Sequence, residues 1–140
     1  MTFTRSKTLR ALALASLLFG VQPLHAEYLK IQLRVYGLDC GLCARGVAAS
    51  VQRLAGVKSV DVTLKTGLLE IVLDPGNTFK MSDLRKRIHE NGFRAMEAHV
   101  TAIGTFNASS KFEVTGSGES YDIAKPDTGS GPVERTFEIK

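Results

Sequence analysis

From Leu29 onward the apolar positions fall into short runs with two different periods. Leu29, Ile31, Leu33 and Val35 alternate with Lys30, Gln32, Arg34 and Tyr36, the pattern of a strand with one buried and one wet face. Gly37-Leu-Asp-Cys-Gly-Leu-Cys43 interrupts the alternation as a loop. Ala44, Val47, Ala48, Val51 and Leu54 then recur at spacings of three and four, which lines one face of a helix, and Gly56 stops it. Val60, Val62 and Leu64 predict a second strand, Thr66-Gly67 a tight turn, and Leu69, Ile71 and Leu73 a third strand. After the breaker Asp74-Pro-Gly-Asn77, Met81, Leu84 and Ile88 mark a second helix. Asn91-Gly92 ends it, because glycine suits the left-handed position that follows a helix. Phe93 to Val100 starts a fourth strand.

The order β-α-β-β-α-β predicts an α+β chain of the ferredoxin-like, split βαβ kind: an antiparallel sheet with both helices on one face. This domain spans residues 27–98. Beyond it the chain turns rich in Gly, Ser and Thr, with β-prone runs at Ile103–Phe106, Lys111–Thr115, Ser120–Ile123 and Arg135–Ile139. Ser117-Gly118 reads as a hairpin turn and Lys125–Pro132 as a loop. Phe106, Phe112, Tyr121 and Phe137 require burial, so residues 99–140 form a β-rich extension packed on the domain. Its expected seat is the sheet face that the helices leave open.

Upstream lies a different kind of segment. Residues 1–10 carry Arg5, Lys7 and Arg10, residues 11–21 are an apolar run, and Gln22-Pro-Leu-His-Ala26 breaks it and ends on a small residue. A positively charged start, a short apolar stretch and a small-residue end make the pattern of an export signal; the run is too short for a bilayer, which needs about 20 apolar residues. Cleavage is expected after Ala26, leaving residues 1–26 as a signal peptide and the remainder periplasmic or secreted, with no membrane anchor. This changes the reading of charge. The chain has 18 Lys and Arg against 14 Asp and Glu, and three of those 18 precede the first acidic residue, Glu27, leaving 15 against 14. The basic balance therefore carries no nucleic-acid signal.

The chemistry concentrates in the only two cysteines, Cys40 and Cys43. At this spacing, between a strand and a helix, both sulfurs can face one point, Cys40 from the loop and Cys43 from the first helical turn. The unpaired N–H groups at a helix start carry positive partial charge and favour thiolate, the form that binds metal. Two sulfurs suit a soft ion of low coordination number, Cu(I) or Hg(II), whereas Zn(II) prefers four ligands.

Gly37-Leu-Asp-Cys-Gly-Leu-Cys43, a helix, Gly56-Val57, two strands and Asn91-Gly92-Phe93 together resemble the heavy-metal-associated domain over residues 29–98. The family includes soft-metal chaperones, periplasmic mercury-binding proteins and the N-terminal domains of metal-pumping P-type ATPases. The resemblance implies a ferredoxin-like fold, Cys40 and Cys43 as ligands, and transfer to a partner with a similar site, such as a membrane metal transporter or P-type ATPase. Leu38 stands where the family usually has Met, an apolar anchor of similar volume. Asp39, directly before the first Cys, resembles the domains that serve Zn(II), Cd(II) and Pb(II) pumps. A carboxylate beside two thiolates calls for a divalent cation and can supply a harder oxygen ligand, which makes Asp39 a candidate third ligand. Its alternative role is that of a helix cap. The metal is thus a zinc-like divalent ion, Cu(I) or Hg(II), in that order.

Phe93 falls at the family's loop beside the metal, as a shield for the sulfurs or as a core side chain. His89 and His99 lack a ligand partner at metal spacing and read as surface residues. Met81 and Met96 read as core filler, and Arg85-Lys86-Arg87 as a solvated helix face. The leading function is an exported metal-binding protein without catalysis. One rival is a thiol–disulfide oxidoreductase using the same pair, although no Pro or His lies between the cysteines and no Trp precedes them. The other is a structural disulfide, which closes too short a loop to stabilise much.

Overall fold

The computed structural model describes residues 27–114, 116–123 and 131–140. The expected signal peptide and most of the loop 125–132 lie outside the described residues. The chain forms β1 (Tyr28–Tyr36), α1 (Gly41–Val51), β2 (Val57–Thr63), β3 (Leu68–Leu73), α2 (Met81–Glu90), β4 (Arg94–Phe106), β5 (Phe112–Val114), β6 (Glu119–Tyr121) and β7 (Val133–Ile139). The first six are the expected split βαβ arrangement. β1 is central, antiparallel to β3 through Ile31↔Ile71 and Leu33↔Leu69 and to β4 through Ile31↔Val100 and Leu33↔Ala98. β2 closes one edge beside β3.

The alternation in β1 sends Ile31, Leu33 and Val35 to the helix side, where they meet Leu69, Ile71 and Val100, and Val47, Val51, Leu84 and Ile88 of the helices, all nearly inaccessible. Each such side chain contributes about 1.5–3 kcal/mol by leaving water. The opposite face is polar. Lys30 pairs with Glu70 at 2.9 Å, Gln32 donates to the same carboxylate at 2.9 Å, and Arg34 pairs with Glu97 at 3.0 Å. None of the helices among the described residues is long and apolar enough to cross a membrane.

Three local expectations need correction. β2 ends at Thr63, so Leu64 is not a strand residue; it sits in the following turn, 44% exposed. Met96 is not core filler but lies 36% exposed on β4. Between Leu33↔Ala98 and Val35↔Ala95 the β1–β4 register slips by one. Such a bulge reverses which side chains face inward, so Ala95 packs on the core and Met96 turns out. β4 also does not give way to a separate run at Ile103. It continues to Phe106, so the change in composition near residue 98 falls inside one strand.

The extension is not on the open sheet face, because that face offers charged groups rather than apolar ones. Instead β7 lines the free edge of β4, with Val100 opposite Phe137 and Ala102 opposite Arg135, and pairs backbone groups that would otherwise be left open. The β5–β6 hairpin folds over Gly104, where a Cβ would come within 2.7 Å of the Phe112 ring. Phe112 is fully buried, edge-on to Phe106 at 5.4 Å and to Phe137 at 5.5 Å. The aromatic side chains of the extension thus find burial on the helix side.

One carboxylate ties this extension to the domain. The residue before α2 is Lys80, whose side chain caps nothing, leaving the first N–H groups of the helix without a local partner. Glu119 of β6 supplies it: Oε2 accepts from Met81 N–H at 2.8 Å and Oε1 from Ser82 N–H at 3.0 Å. The Tyr28 and Tyr121 hydroxyls also donate to Oε2, at 2.6 and 3.1 Å. Burial works to raise the Glu119 carboxyl, but the hydrogen bonds from Tyr28, Met81 and Ser82 outweigh it and hold the group below the ordinary carboxylate range. Burial first, then the contact with Glu119, pushes the Tyr28 hydroxyl well up.

Replacing Glu119 by Gln is expected to cost about 2 kcal/mol in urea unfolding, the loss of a charged acceptor from a half-buried cluster. Since the folded carboxyl titrates below its ordinary value of 4.5, its stabilisation is complete above that pH and disappears as pH falls through the folded value. The native chain should therefore lose stability on acidification more steeply than Glu119→Gln, and equal slopes would show that the carboxylate does not hold the tail.

Candidate metal centre

The site begins where β1 ends. Leu38 points into the core, only 2% exposed, while its neighbours Gly37, Asp39 and Cys40 face solvent. That single inward side chain fixes the height of the loop above the core. Cys40 takes an extended backbone conformation as the N-cap of α1, and the Cys43 N–H donates to its Sγ at 3.1 Å. Ala44 N–H donates to the Cys40 carbonyl at 2.9 Å and starts the helical ladder. Ala44, Val47, Ser50 and Val51 then hold α1 to the sheet, so the apolar face read from the sequence aims the helix start, with its positive partial charge, at the two sulfurs.

Cys40 and Cys43 meet as expected. Their Cα atoms are 5.1 Å apart and the sulfurs are joined in a disulfide. Cys40 is exposed, whereas Cys43 is half-buried and packs against the core. Asp39 is exposed, and among the described residues no group of three His, Cys, Asp or Glu side chains converges as a metal site. The structure thus brings the two sulfurs together without drawing the carboxylate in as a third donor in this disulfide form. The cap position that was the alternative for Asp39 belongs to Cys40.

Neighbouring segments frame the loop. Phe93 packs partly on the core and lies 3.8 Å from the Cβ direction of Gly37, so it supports the loop's first residue. His89 is exposed at the mouth of a cleft shared with Tyr36, Gly37, Phe93 and Arg94. His99 is exposed on the open sheet face, opposite Gln32 and Glu138. On the other flank the turn after β2 is pinned by Val35 N–H donating to the Gly67 carbonyl at 2.8 Å. Gly67 has φ +64°, and a Cβ there would approach the Val35 carbonyl to 2.5 Å, so only glycine allows the turn to sit this close to β1. Sequence reasoning missed the exposed apolar rim that results. Tyr36 is 72% and Leu42 79% exposed, and Leu64 lies 4.0 Å from where a Cβ on Gly41 would stand. The signal was present in Leu42, an apolar residue between the two cysteines.

The sequence profile of the heavy-metal-associated domain matches residues 32–94. The copper-transporting ATPase RAN1 of Arabidopsis thaliana is 32% identical over 82 residues, 55% of this chain and 8% of that protein. A zinc-transporting ATPase of Synechocystis is 33% identical over 66 residues, 47% of this chain and 9% of its own length. The chain therefore spans under a tenth of either pump. An uncharacterized protein of Haemophilus influenzae is 37% identical over 67 residues, 47% of this chain and 73% of that protein. Among solved structures, the CopZ metallochaperone aligns at 27% identity and a TM-score of 0.45, over 48% of this chain and 98% of its own.

Truncating the buried anchor, Leu38→Ala, should lower stability by about 3 kcal/mol, whereas Asp39→Ala on the exposed loop should stay within about 0.5 kcal/mol of the native chain. Urea titration of both variants checks the contrast. A neutral Leu38→Ala would mean that the loop is not held from below.

Proposed function

Since the chain belongs to the heavy-metal-associated domain family, we propose that it is an exported carrier that captures one soft metal ion between reduced Cys40 and Cys43 and hands it to a partner with a similar site. The observation that carries this reading is the joined sulfur pair, exposed at Cys40 and half-buried at Cys43, at the start of a well-anchored helix. Two thiolates and a helix start provide enough attraction for a d¹⁰ ion that accepts two ligands, so Cu(I) is the favoured cargo, with Hg(II) compatible on the same grounds. A zinc-like divalent ion is the second reading. It is favoured by the carboxylate of Asp39 beside Cys40, and it requires the reduced loop to bring that group in or a partner to supply the missing ligands. One relative transports copper and another zinc, so relatives alone do not choose.

A site with two protein ligands is open on its outer side, which suits transfer: an incoming thiolate can bind the ion before the first pair releases it. The rim of Tyr36, Leu42 and Leu64 supplies apolar surface for docking, and a membrane metal pump carrying a similar domain is the partner this chemistry fits. The oxidoreductase alternative lapses, since the domain is a metal-binding one and not an enzyme.

Export rests on the charged, then apolar, then small-residue pattern of residues 1–26. The role of the next residue supports it. Glu27 is built into the fold, its carboxylate accepting from Gly76 N–H and its carbonyl from Ile103 N–H at 2.7 Å. A cleavage after Ala26 would keep Glu27 and both of these contacts. Mass spectrometry of the exported chain should find Glu27 at its N-terminus.

Metal competition on the reduced chain should show one equivalent bound, abolished by Cys40→Ser or Cys43→Ser. In parallel, Asp39→Thr should leave Cu(I) affinity unchanged and weaken Zn(II) by about tenfold if the carboxylate serves a divalent ion. Unaltered Zn(II) binding would retire the second reading, and undiminished metal binding by both serine variants would retire the first.

A further inference from the structure

On the open sheet face, outside the sulfur pair, we propose a separate copper(II) site formed by His99, Glu138 and Met96. Chain order keeps these three donors apart, and strand pairing brings them together. Between Leu33↔Ala98 and Val35↔Ala95, two residues of β4, Met96 and Glu97, stand opposite Arg34 alone, so both side chains turn to the open face. His99 is the next outward position on β4, and its direct partner on β7 is Glu138. Directly paired residues hold their Cβ atoms about 4.5–5.5 Å apart on one face, close enough for an imidazole and a carboxylate to share an ion.

Met96, His99 and Glu138 line one cavity of about 670 Å³ together with Ala95, Glu97 and Lys140. All three donors are exposed, so an ion enters without opening the fold. No third imidazole, carboxylate or thiol converges with them among the described residues. Glu97 is held by Arg34 at 3.0 Å, which leaves the Met96 thioether as the third protein donor and water to complete the shell. Copper is the ion for which imidazole, carboxylate and thioether are all ordinary donors, and Cu(II) binds such nitrogen and oxygen sets more tightly than Zn(II). Lys140 lies beyond β7 and is exposed, so its ammonium can swing into water when a cation enters.

The residue on the other side of His99 supports the same assignment. Gln32 pairs with His99 across the β1–β4 ladder and donates to Glu70 through Nε2 at 2.9 Å. That leaves its amide oxygen to accept from the imidazole N–H that the metal does not use, the usual way a ligand histidine is oriented. None of these groups belongs to the sulfur loop. The disulfide form therefore keeps one place for copper while Cys40 and Cys43 are joined.

The test uses the untagged chain with its disulfide intact, so that the sulfur pair contributes no thiolate. Titrated with Cu(II) against glycine as competing chelator, it should bind one equivalent, with an electron paramagnetic resonance spectrum that carries imidazole nitrogen couplings. His99→Gln should weaken binding at least about tenfold and remove those couplings, and Glu138→Gln should weaken it about tenfold. Met96→Leu should give a smaller loss, and unchanged affinity there strikes the thioether from the site. His89→Gln, which alters an exposed histidine elsewhere, should bind as the native chain does. All these positions are exposed, so each variant should keep the native urea midpoint, which separates a lost ligand from a lost fold. An oxidised chain that binds no copper, binding untouched by His99→Gln, or an equal loss in His89→Gln overturns the site, and tighter binding of Zn(II) than of Cu(II) overturns its assignment to copper. The sulfurs stay joined throughout, so neither result bears on the carrier reading.

Discussion

On the carrier reading, two sulfur atoms must be wet enough to meet an ion and a partner, yet held firmly enough that they need not be ordered each time. The chain meets this constraint by burying the side chain just before them. Leu38 is seated in the core while Asp39 and Cys40 stand in solvent, so the loop is anchored from beneath and open from above. The amphipathic face of α1 completes the arrangement: Val47 and Val51 lock the helix to the sheet and thereby fix where its first N–H groups point. Binding chemistry at the loop is a consequence of packing one layer below it.

The extension obeys a different constraint. β4 would be an edge strand without it, and Phe112 and Phe137 would have no burial. Pairing β7 along that edge and folding β5–β6 under the helix side solves both at once. Glu119 then joins the two parts by completing the first turn of α2. This junction lies near Tyr28, at the start of β1, and the sulfurs follow its end, about 25 Å away at the rise of a strand. The Glu119 junction therefore braces the domain from the far end, while β7 follows the edge of β4 as far as Ala98.

The alternation of β1 and β3, the three-and-four spacing of α1 and α2, and the glycines at their ends were readable because each depends on a residue's neighbours in the chain. The same local logic placed Cys40 and Cys43 at a helix start. It failed for Met96, because a bulge in the β1–β4 pairing is a property of two strands far apart in the chain and not of either alone. It failed for the seat of the extension, because the choice between an open face and a free edge depends on what β1 and β3 present there. It did not reach the cap of α2, because nothing near Lys80 in the chain announces that Glu119, on a distant strand, accepts from the first N–H groups of that helix.

Taken alone, then, the amino-acid order determined the βαββαβ frame, the pair of soft donors and the point in the frame where they sit, since periodicity, capping and short motifs act over a few residues. Only the folded chain decided that Asp39 stays outside the sulfur pair in the disulfide form, that Tyr36, Leu42 and Leu64 are left exposed, and that the tail extends the same sheet. Those outcomes turn on register, on which groups are left without partners, and on how closely two backbones can approach, and these quantities have no value until distant segments meet.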